Sequence, residues 1–385
     1  MVTDGVATGS VVPGSADRRS VVPGSAERRS VVPGSAERPV GVLVMAHGTP
    51  STLEGIEPFY TAIRHGRPPT PELLDALVGR YQAIGGTSPL TERTRAQVDG
   101  VAAALEAGAP GRFVVRSGAK YVSPTIEEGI DELAGAGVGR AIGIVLTPHQ
   151  SSLGSGEYVR RAAEAAASAS PPLGFTPVTS WHRTDGFAEL LAERTRSTLS
   201  SVRALRQGPT AVFFTAHSLP LRTVAEGDPY PAQVAETAAD VAGLLGLDAV
   251  PDLRWGVAWQ SAGRTADPWI GPELLLEMKR VAEDGAASVV VCPVGFVSDH
   301  LEVLYDLDIE ARSLADSLGM LFARTPSLND DPRFLQLLAG VIRDAAGAGG
   351  SDGSRDAAGA GGSDGSDGGA RAVDAALGSA GPLPA

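Results

Sequence analysis

Three histidines of this 385-residue chain follow short apolar runs: His47 in VLVMAHGTP, His149 in IVLTPHQSS and His217 in VFFTAHSLP. Imidazole accepts protons near neutral pH and is the commonest protein ligand for borderline metals such as Fe²⁺. One such histidine is more often a hydrogen-bonded packing residue, whereas three at equivalent places point to shared chemistry. A second set is acidic. In GFVSDHLEVLYDLDIEARSLADSL, Glu302, Asp306 and Glu310 recur at i, i+4 and i+8, after the helix-capping types Ser298 and Asp299. That spacing puts three carboxylates on one helix face. Such a face is either a solvated acidic surface or a ladder that passes a cation inward, and spacing alone does not choose between them. A third set is cationic and aromatic: the Pro-rich stretch Phe59–Leu90 holds Arg64, Arg67 and Arg80 with Tyr60 and Tyr81. Arginine grips carboxylates bidentately, which would suit an anionic ligand, and surface arginines are also common. The glycine turn GGTSP at 85–89 lacks GxGxxG or Walker spacing, so a nucleotide site has little support.

These residues need elements to position them. Val40–Met45, Phe113–Arg116, Ala141–Leu146, Ala211–Thr215 and Ser288–Val291 are short β-branched or apolar runs that predict buried strands. Helical patterns such as Gln97–Ala107 and Pro231–Leu245 fall between them. The alternation predicts an α/β fold of two doubly wound, Rossmann-like domains, at 39–205 and 206–331, whose parallel sheets face a central cleft. A last helix at 332–345 is expected to pack back on the first domain. Open parallel sheets bind ligands beyond the carboxyl ends of their strands, where the three histidines stand.

The two ends of the chain read differently. From Ser10 a ten-residue unit recurs three times, SVVPGSADRR, SVVPGSAERR and SVVPGSAERP, and DAAGAGGSDGS occurs from Asp344 and again from Asp356. Segments so rich in Gly, Ser, Asp and Pro bury too little apolar surface to offset ordering entropy, so 1–38 and 346–385 are expected to be disordered tails. A net charge of −13 argues against nucleic-acid partners. No run approaches the ~20 apolar residues of a membrane span, and no export signal is evident, so a cytoplasmic location is expected. The lone Cys292 can form neither an internal disulfide nor a Cys-only metal cluster.

Taken together, the segments MAHGTP, RYQAIGGTSPL, TAHSLP, GDPYP, WQSAGRTADPWIGP and VGFVSDHLEVLYD resemble those of the ferrochelatases, in particular the soluble bacterial branch acting on coproporphyrin III. The likeness covers about Val40 to Ala339. It implies a chelatase-type fold and insertion of Fe²⁺ into coproporphyrin III, giving coproheme in heme biosynthesis. It further implies that His217 and Glu302 are the catalytic, metal-handling pair, and that Asp306 and Glu310 form an acidic track for the metal. His47, Arg64, Arg80, Tyr81, Ser88 and Tyr158 match porphyrin-holding positions. A wall of Ser88, Tyr158 and Trp259 is expected to hold the ring distorted.

Fe²⁺ is then a substrate and no cofactor is expected. Some relatives bind a [2Fe–2S] cluster through several cysteines, which Cys292 alone cannot do. Relatives of this branch often carry Tyr where His47 stands, so His47 makes product affinity the point of departure. The expected partners are the two small-molecule substrates, with room for a downstream heme-pathway enzyme to collect the product. His65, His182 and His300 are expected to be structural or solvent-exposed, Trp255 and Trp269 to be core fillers, and Asp228 and Asp267 to be turn formers before proline. The competing readings are a protoporphyrin IX ferrochelatase, a chelatase for another metal and tetrapyrrole, and a non-catalytic tetrapyrrole carrier. A tetracarboxylate would use the arginines best, and no hydrophobic lip of the membrane-associated kind is evident.

Overall fold

A computed structural model describes residues 38–263 and 267–348. Both tails of the sequence reading lie almost wholly outside the described residues. Eight strands form two parallel sheets of four. The first holds β1 (Val40–Ala46), β2 (Phe113–Ala119), β3 (Arg140–Val145) and β4 (Gly174–Val178), ordered β2-β1-β3-β4. The second holds β5 (Thr210–His217), β6 (Leu253–Gln260), β7 (Ser288–Cys292) and β8 (Leu321–Arg324), ordered β6-β5-β7-β8. The two orders are one topology used twice. In each, the chain crosses to one side of its first strand and then returns to the other, which leaves a crevice at that strand's carboxyl end.

The five runs expected as strands are β1, β2, β3, β5 and β7. The reading missed β4, β6 and β8, all of them sheet edges. Edge strands are covered on fewer sides, so their sequences lack a continuous apolar run; β4 even carries Pro177, which an edge tolerates. The central strands are buried on both faces and alternate between cores with period two. Val42 and Val44 of β1 and Val212 and Phe214 of β5 enter one shared core, whereas Leu43 and Met45, and Ala211 and Phe213, pack under the helices on the other sides. Each such fully buried aliphatic or aromatic side chain contributes about 1.5–3 kcal/mol.

Helices Phe187–Leu205, Tyr230–Leu245 and Pro332–Ala348 also feed the shared core. The last runs three residues beyond the expected end at 345, because Ala346 is still buried. It packs on helix Leu90–Gly108 and on β3 and β4.

Two glycines shape the strand ends. Gly48 has φ +81°, a left-handed conformation that turns the chain sharply just after His47. Gly295, in the loop after β7, lies against β5: a methyl there would sit 2.5 Å from the Cβ and 2.9 Å from the Cα of Ala216. Its N–H donates to the Thr215 carbonyl at 3.0 Å, which ties the loop beside His217. Gly295→Ala should therefore destabilise the fold by about 1–3 kcal/mol. Urea unfolding checks this as a lowered midpoint at unchanged slope, and an unchanged midpoint would mean that the loop yields freely.

Candidate active site

A cleft of about 580 Å³ opens at the carboxyl ends of the central strands of both sheets. That size suits a small organic ligand. His217 closes β5 and is held on every side. Its Nδ1–H donates to the Ser218 carbonyl, and its own carbonyl accepts from the Tyr230 hydroxyl at 3.1 Å. The Ser218 N–H donates to the Gln260 carbonyl at 2.8 Å, fixing the next residue to β6. With Nδ1 occupied as a donor, Nε2 is the nitrogen left to exchange a proton. That nitrogen lies 3.5 Å from Oε1 of Glu302.

Glu302 sits in the first turn of helix Leu301–Tyr305, and the Gln260 side-chain amide donates to its carbonyl at 3.2 Å. Its second oxygen, Oε2, faces Nε2 of His300 at 3.7 Å. One carboxylate thus stands between two imidazoles. Among the described residues no three or more His, Cys, Asp or Glu side chains gather as a metal site.

The chain after Tyr305 departs from the expected regular helix. Asp306–Ala311 is a π-helix, followed by an α-helical turn at Arg312–Ser317. Along this stretch Glu302 lines the cleft, Asp306 is buried and Glu310 is exposed. Asp306 is paired with the Arg80 guanidinium and accepts a hydrogen bond from Ser261 Oγ. Burial lifts Asp306 to about 6, and the charges of Glu302 and Glu310 add to that rise despite Arg80. The three carboxylates are electrostatically coupled, as a ladder requires.

The expected porphyrin-holding residues divide. His47, Arg80, Tyr81, Ser88 and Tyr158 line the cleft together with His217 and Glu302. His47 follows β1 and makes edge contacts with the Phe59 and Tyr121 rings. Protein packed around it disfavours the cation and holds its pKa below the ordinary histidine value. Tyr81 shares a hydrogen bond of 2.9 Å with Thr49 Oγ1, and Ser88 Oγ accepts from the Leu90 N–H at 3.3 Å. Arg64 stays off the lining: its guanidinium lies 5.6 Å from the Tyr60 ring centre, and its Nε donates to the Arg67 carbonyl. Arg80 reaches the cleft with its guanidinium already committed to Asp306 and stacked 4.7 Å from the Tyr305 ring centre.

Several expectations need correction. Trp259 is not part of the cleft wall; it is 1 % exposed in the shared core, because inward-facing positions of β6 pack beneath the sheet. Trp269 lines the cleft instead, with its ring centre 6.4 Å from that of His217. Arg264, Thr265 and Ala266 of the same motif lie outside the described residues. His300 is not a bystander, since the turn into the helix aims it at Glu302. Its signal was its place two residues before Glu302, which periodicity does not register.

Asp228 does more than form a turn. Its carboxylate accepts from the Tyr230 N–H at 3.0 Å, and from the Ser152 N–H and Oγ at 2.7 Å each, so it joins the two halves of the chain. Lys120 was missed altogether. It is buried in the cleft wall, pairs with Glu157 and lies 5.2 Å from the Tyr158 ring centre. His149 lines the cleft but bonds Thr237 Oγ1 at 2.9 Å and packs on His182; burial lowers it to about 3, so it stays neutral.

The charge state of the central pair follows from two opposed effects. Burial alone would lower His217, but Glu302 outweighs it and holds His217 up at about 9. Burial likewise pushes Glu302 up, and His217 with His300 pulls it well below the carboxylate range. His217 and Glu302 therefore form an imidazolium–carboxylate pair at neutral pH. Because folding raises the His217 pKa, its contribution to stability is complete below its ordinary value of 6.5 and is lost as pH rises through about 9. In Glu302→Gln the carboxylate is gone while burial remains, so the His217 midpoint should fall below 6.5. NMR titration of the His217 ring checks this, and equal midpoints in both proteins would mean that Glu302 does not set the charge.

Known proteins match this chain in sequence over both sheets. The ferrochelatase family profile covers residues 39–346. The ferrochelatase of Herpetosiphon aurantiacus is 38% identical over 301 residues, spanning 78% of this chain and 97% of that protein. The coproporphyrin III ferrochelatase of Anoxybacillus flavithermus is 40% identical over 305 residues, 79% of this chain and 95% of its own length. That of Halalkalibacterium halodurans is 40% identical over 306 residues, 79% and 96%. The match spans both sheets, the strand-end histidines and the helix of Glu302, and with that coverage the chain belongs to the ferrochelatase family.

Proposed function

We propose that this protein inserts Fe²⁺ into coproporphyrin III, with His217 as the proton acceptor and Glu302 as the carboxylate that receives the metal. The observation that carries the reading is the 3.5 Å opposition of His217 Nε2 and Glu302 in the cleft, with Nδ1 held by the Ser218 carbonyl.

Insertion exchanges two pyrrole N–H protons for one dication, so the site must take up positive charge and release it as protons. While it is paired with Glu302, His217 already carries a proton and cannot accept another. A cation arriving at Glu302 neutralises the carboxylate that holds this proton, and burial then favours the neutral imidazole. His217 then releases its proton to solvent and presents Nε2 as a base, which would take the two pyrrole protons one after the other and pass each to solvent. Exposed Glu310 and buried Asp306 form a graded approach to that point. Asp306, lifted to about 6, is still mostly ionised at neutral pH and would offer the passing cation a carboxylate. This assigns the acidic residues to delivery and Glu302 to the final hand-over.

Ser88, Tyr158 and Trp269 are the groups that would hold the macrocycle against this pair. A site shaped for a ring bent toward the metal stabilises the transition state over the flat substrate. The choice of coproporphyrin rests on two supports. Two of the relatives above are named for that substrate, and the guanidiniums of Arg64 and Arg67, which follow cleft-lining Ile63 in the chain, would complement propionates. Arg80, bound to Asp306, is the weaker clamp of the set.

The test is anaerobic Fe²⁺ insertion into coproporphyrin III and protoporphyrin IX in parallel, followed by absorbance. Faster turnover of coproporphyrin is expected. Preference for protoporphyrin would discard the clamp, and binding of either without insertion would make the protein a carrier. His217→Ala should lower insertion by on the order of 10²–10⁴-fold, the usual contribution of a general base, while porphyrin binding persists. Near-normal turnover in that variant would remove His217 from the chemistry.

A further inference from the structure

Arg324 ends β8, an edge strand that packs against the π-helical segment Asp306–Ala311. Its guanidinium makes a two-pronged pair with Asp308, through Nε to Oδ1 at 3.0 Å and Nη2 to Oδ2 at 2.8 Å. The remaining Nη1 donates to Asp299 Oδ1 at 3.2 Å and to the Thr325 carbonyl at 3.1 Å. Only 12% of the Arg324 side chain is exposed, so these contacts are shielded from the water that weakens surface pairs. Asp299 is held in turn: Ser327 Oγ and Asn329 Nδ2 each donate to its carboxylate at 2.8 Å.

Asp299 precedes Glu302 by three residues and Asp308 follows it by six. One cation therefore grips the chain on both sides of Glu302, at the entry to the α-helical turn and inside the π-helix. π-helical turns are rare and are kept where something holds them. The pair with Asp308 is such a hold, and it ties the wide turn to a strand of the sheet. Neither Arg324 nor Asp308 lines the cleft.

We infer that Arg324 is a positioning residue for the Glu302 carboxylate: by fixing Asp299 and Asp308 together it sets how far Glu302 reaches toward His217. The inference rests on the reading of Glu302 as the metal-receiving carboxylate. Arg→Lys keeps the charge but loses the planar fork, and so loosens the bracket without removing its cation.

Arg324→Lys and, separately, Asp308→Asn are the variants, made in the full chain. With Fe²⁺ varied at saturating coproporphyrin III, insertion efficiency toward the metal should fall by about 10- to 100-fold, as for outer-shell partners of metal ligands. The KM for porphyrin should stay within about twofold of wild type. The His217 NMR midpoint should fall in both variants, because it reports the nearness of Glu302 whether or not insertion occurs. In a Glu302→Gln background the same variants should leave that midpoint unmoved, the signature of an effect acting through Glu302. The inference is overturned if the midpoint is unchanged with Glu302 present, or shifts equally without it. Matched losses toward metal and porphyrin, with a lowered unfolding midpoint, would also overturn it by showing a general structural role. Failure of the wild type to insert iron would instead defeat the functional reading, with the His217 midpoint still deciding the positioning.

Discussion

A carboxylate and an imidazole held 3.5 Å apart inside a partly dry cleft must either pair as ions or exchange a proton, and the rest of this molecule is arranged around that constraint. Neither group would keep its charge there alone, since burial pushes each toward neutrality. Each is charged because the other is. Any event that alters one changes the proton affinity of the other. The surrounding hydrogen bonds serve this coupling: Ser218 and Tyr230 fix the imidazole, and Gln260 joins the strand end beside His217 to the backbone of Glu302.

The pair depends on the parallel topology. His217 ends the first strand of the second sheet, and Glu302 follows the strand paired with it on the other side. The equivalent strand of the first sheet ends beside His47, so repeating one strand order brings matching edges of both sheets to one cleft. Asp228 spans the two repeats, and the same carboxylate accepts from the N–H of Tyr230, the first residue of helix Tyr230–Leu245. The hydroxyl that steadies His217 belongs to the first residue of that helix, so the link between halves and the orientation of the imidazole share one local structure.

The acidic residues illustrate how packing gives like side chains of one sequence pattern different surroundings. On an isolated helix, carboxylates at 302, 306 and 310 would repel by a few tenths of a kcal/mol per pair and face water alike. In the fold they span a gradient from exposed Glu310 to buried Asp306 to Glu302 at the cleft. Arg80 and Ser261 keep Asp306 in place, at the expense of an arginine that sequence alone offers to the ligand. Arg324 holds the same segment from behind, so cations on both sides fix a stretch that carries four carboxylates.

The sequence by itself determined the sheet cores, the strand-end histidines and the family. Runs such as VGVLVM and SVVV are buried on both faces, which leaves a period and composition that no other context explains. His217 and Glu302 were legible because their motifs are long and local. The edge strands β4, β6 and β8 were not, since half-covered strands need no apolar run. Only the tertiary structure decided that Trp269 rather than Trp259 faces the cleft, that His300 flanks Glu302, and that Arg80 belongs to Asp306. Each of those outcomes is a contact between segments distant in sequence or the extended backbone of His300 at a helix entry. Residue type and spacing record what a side chain can do, and the partner it meets is fixed only when the sheets and helices close on one another.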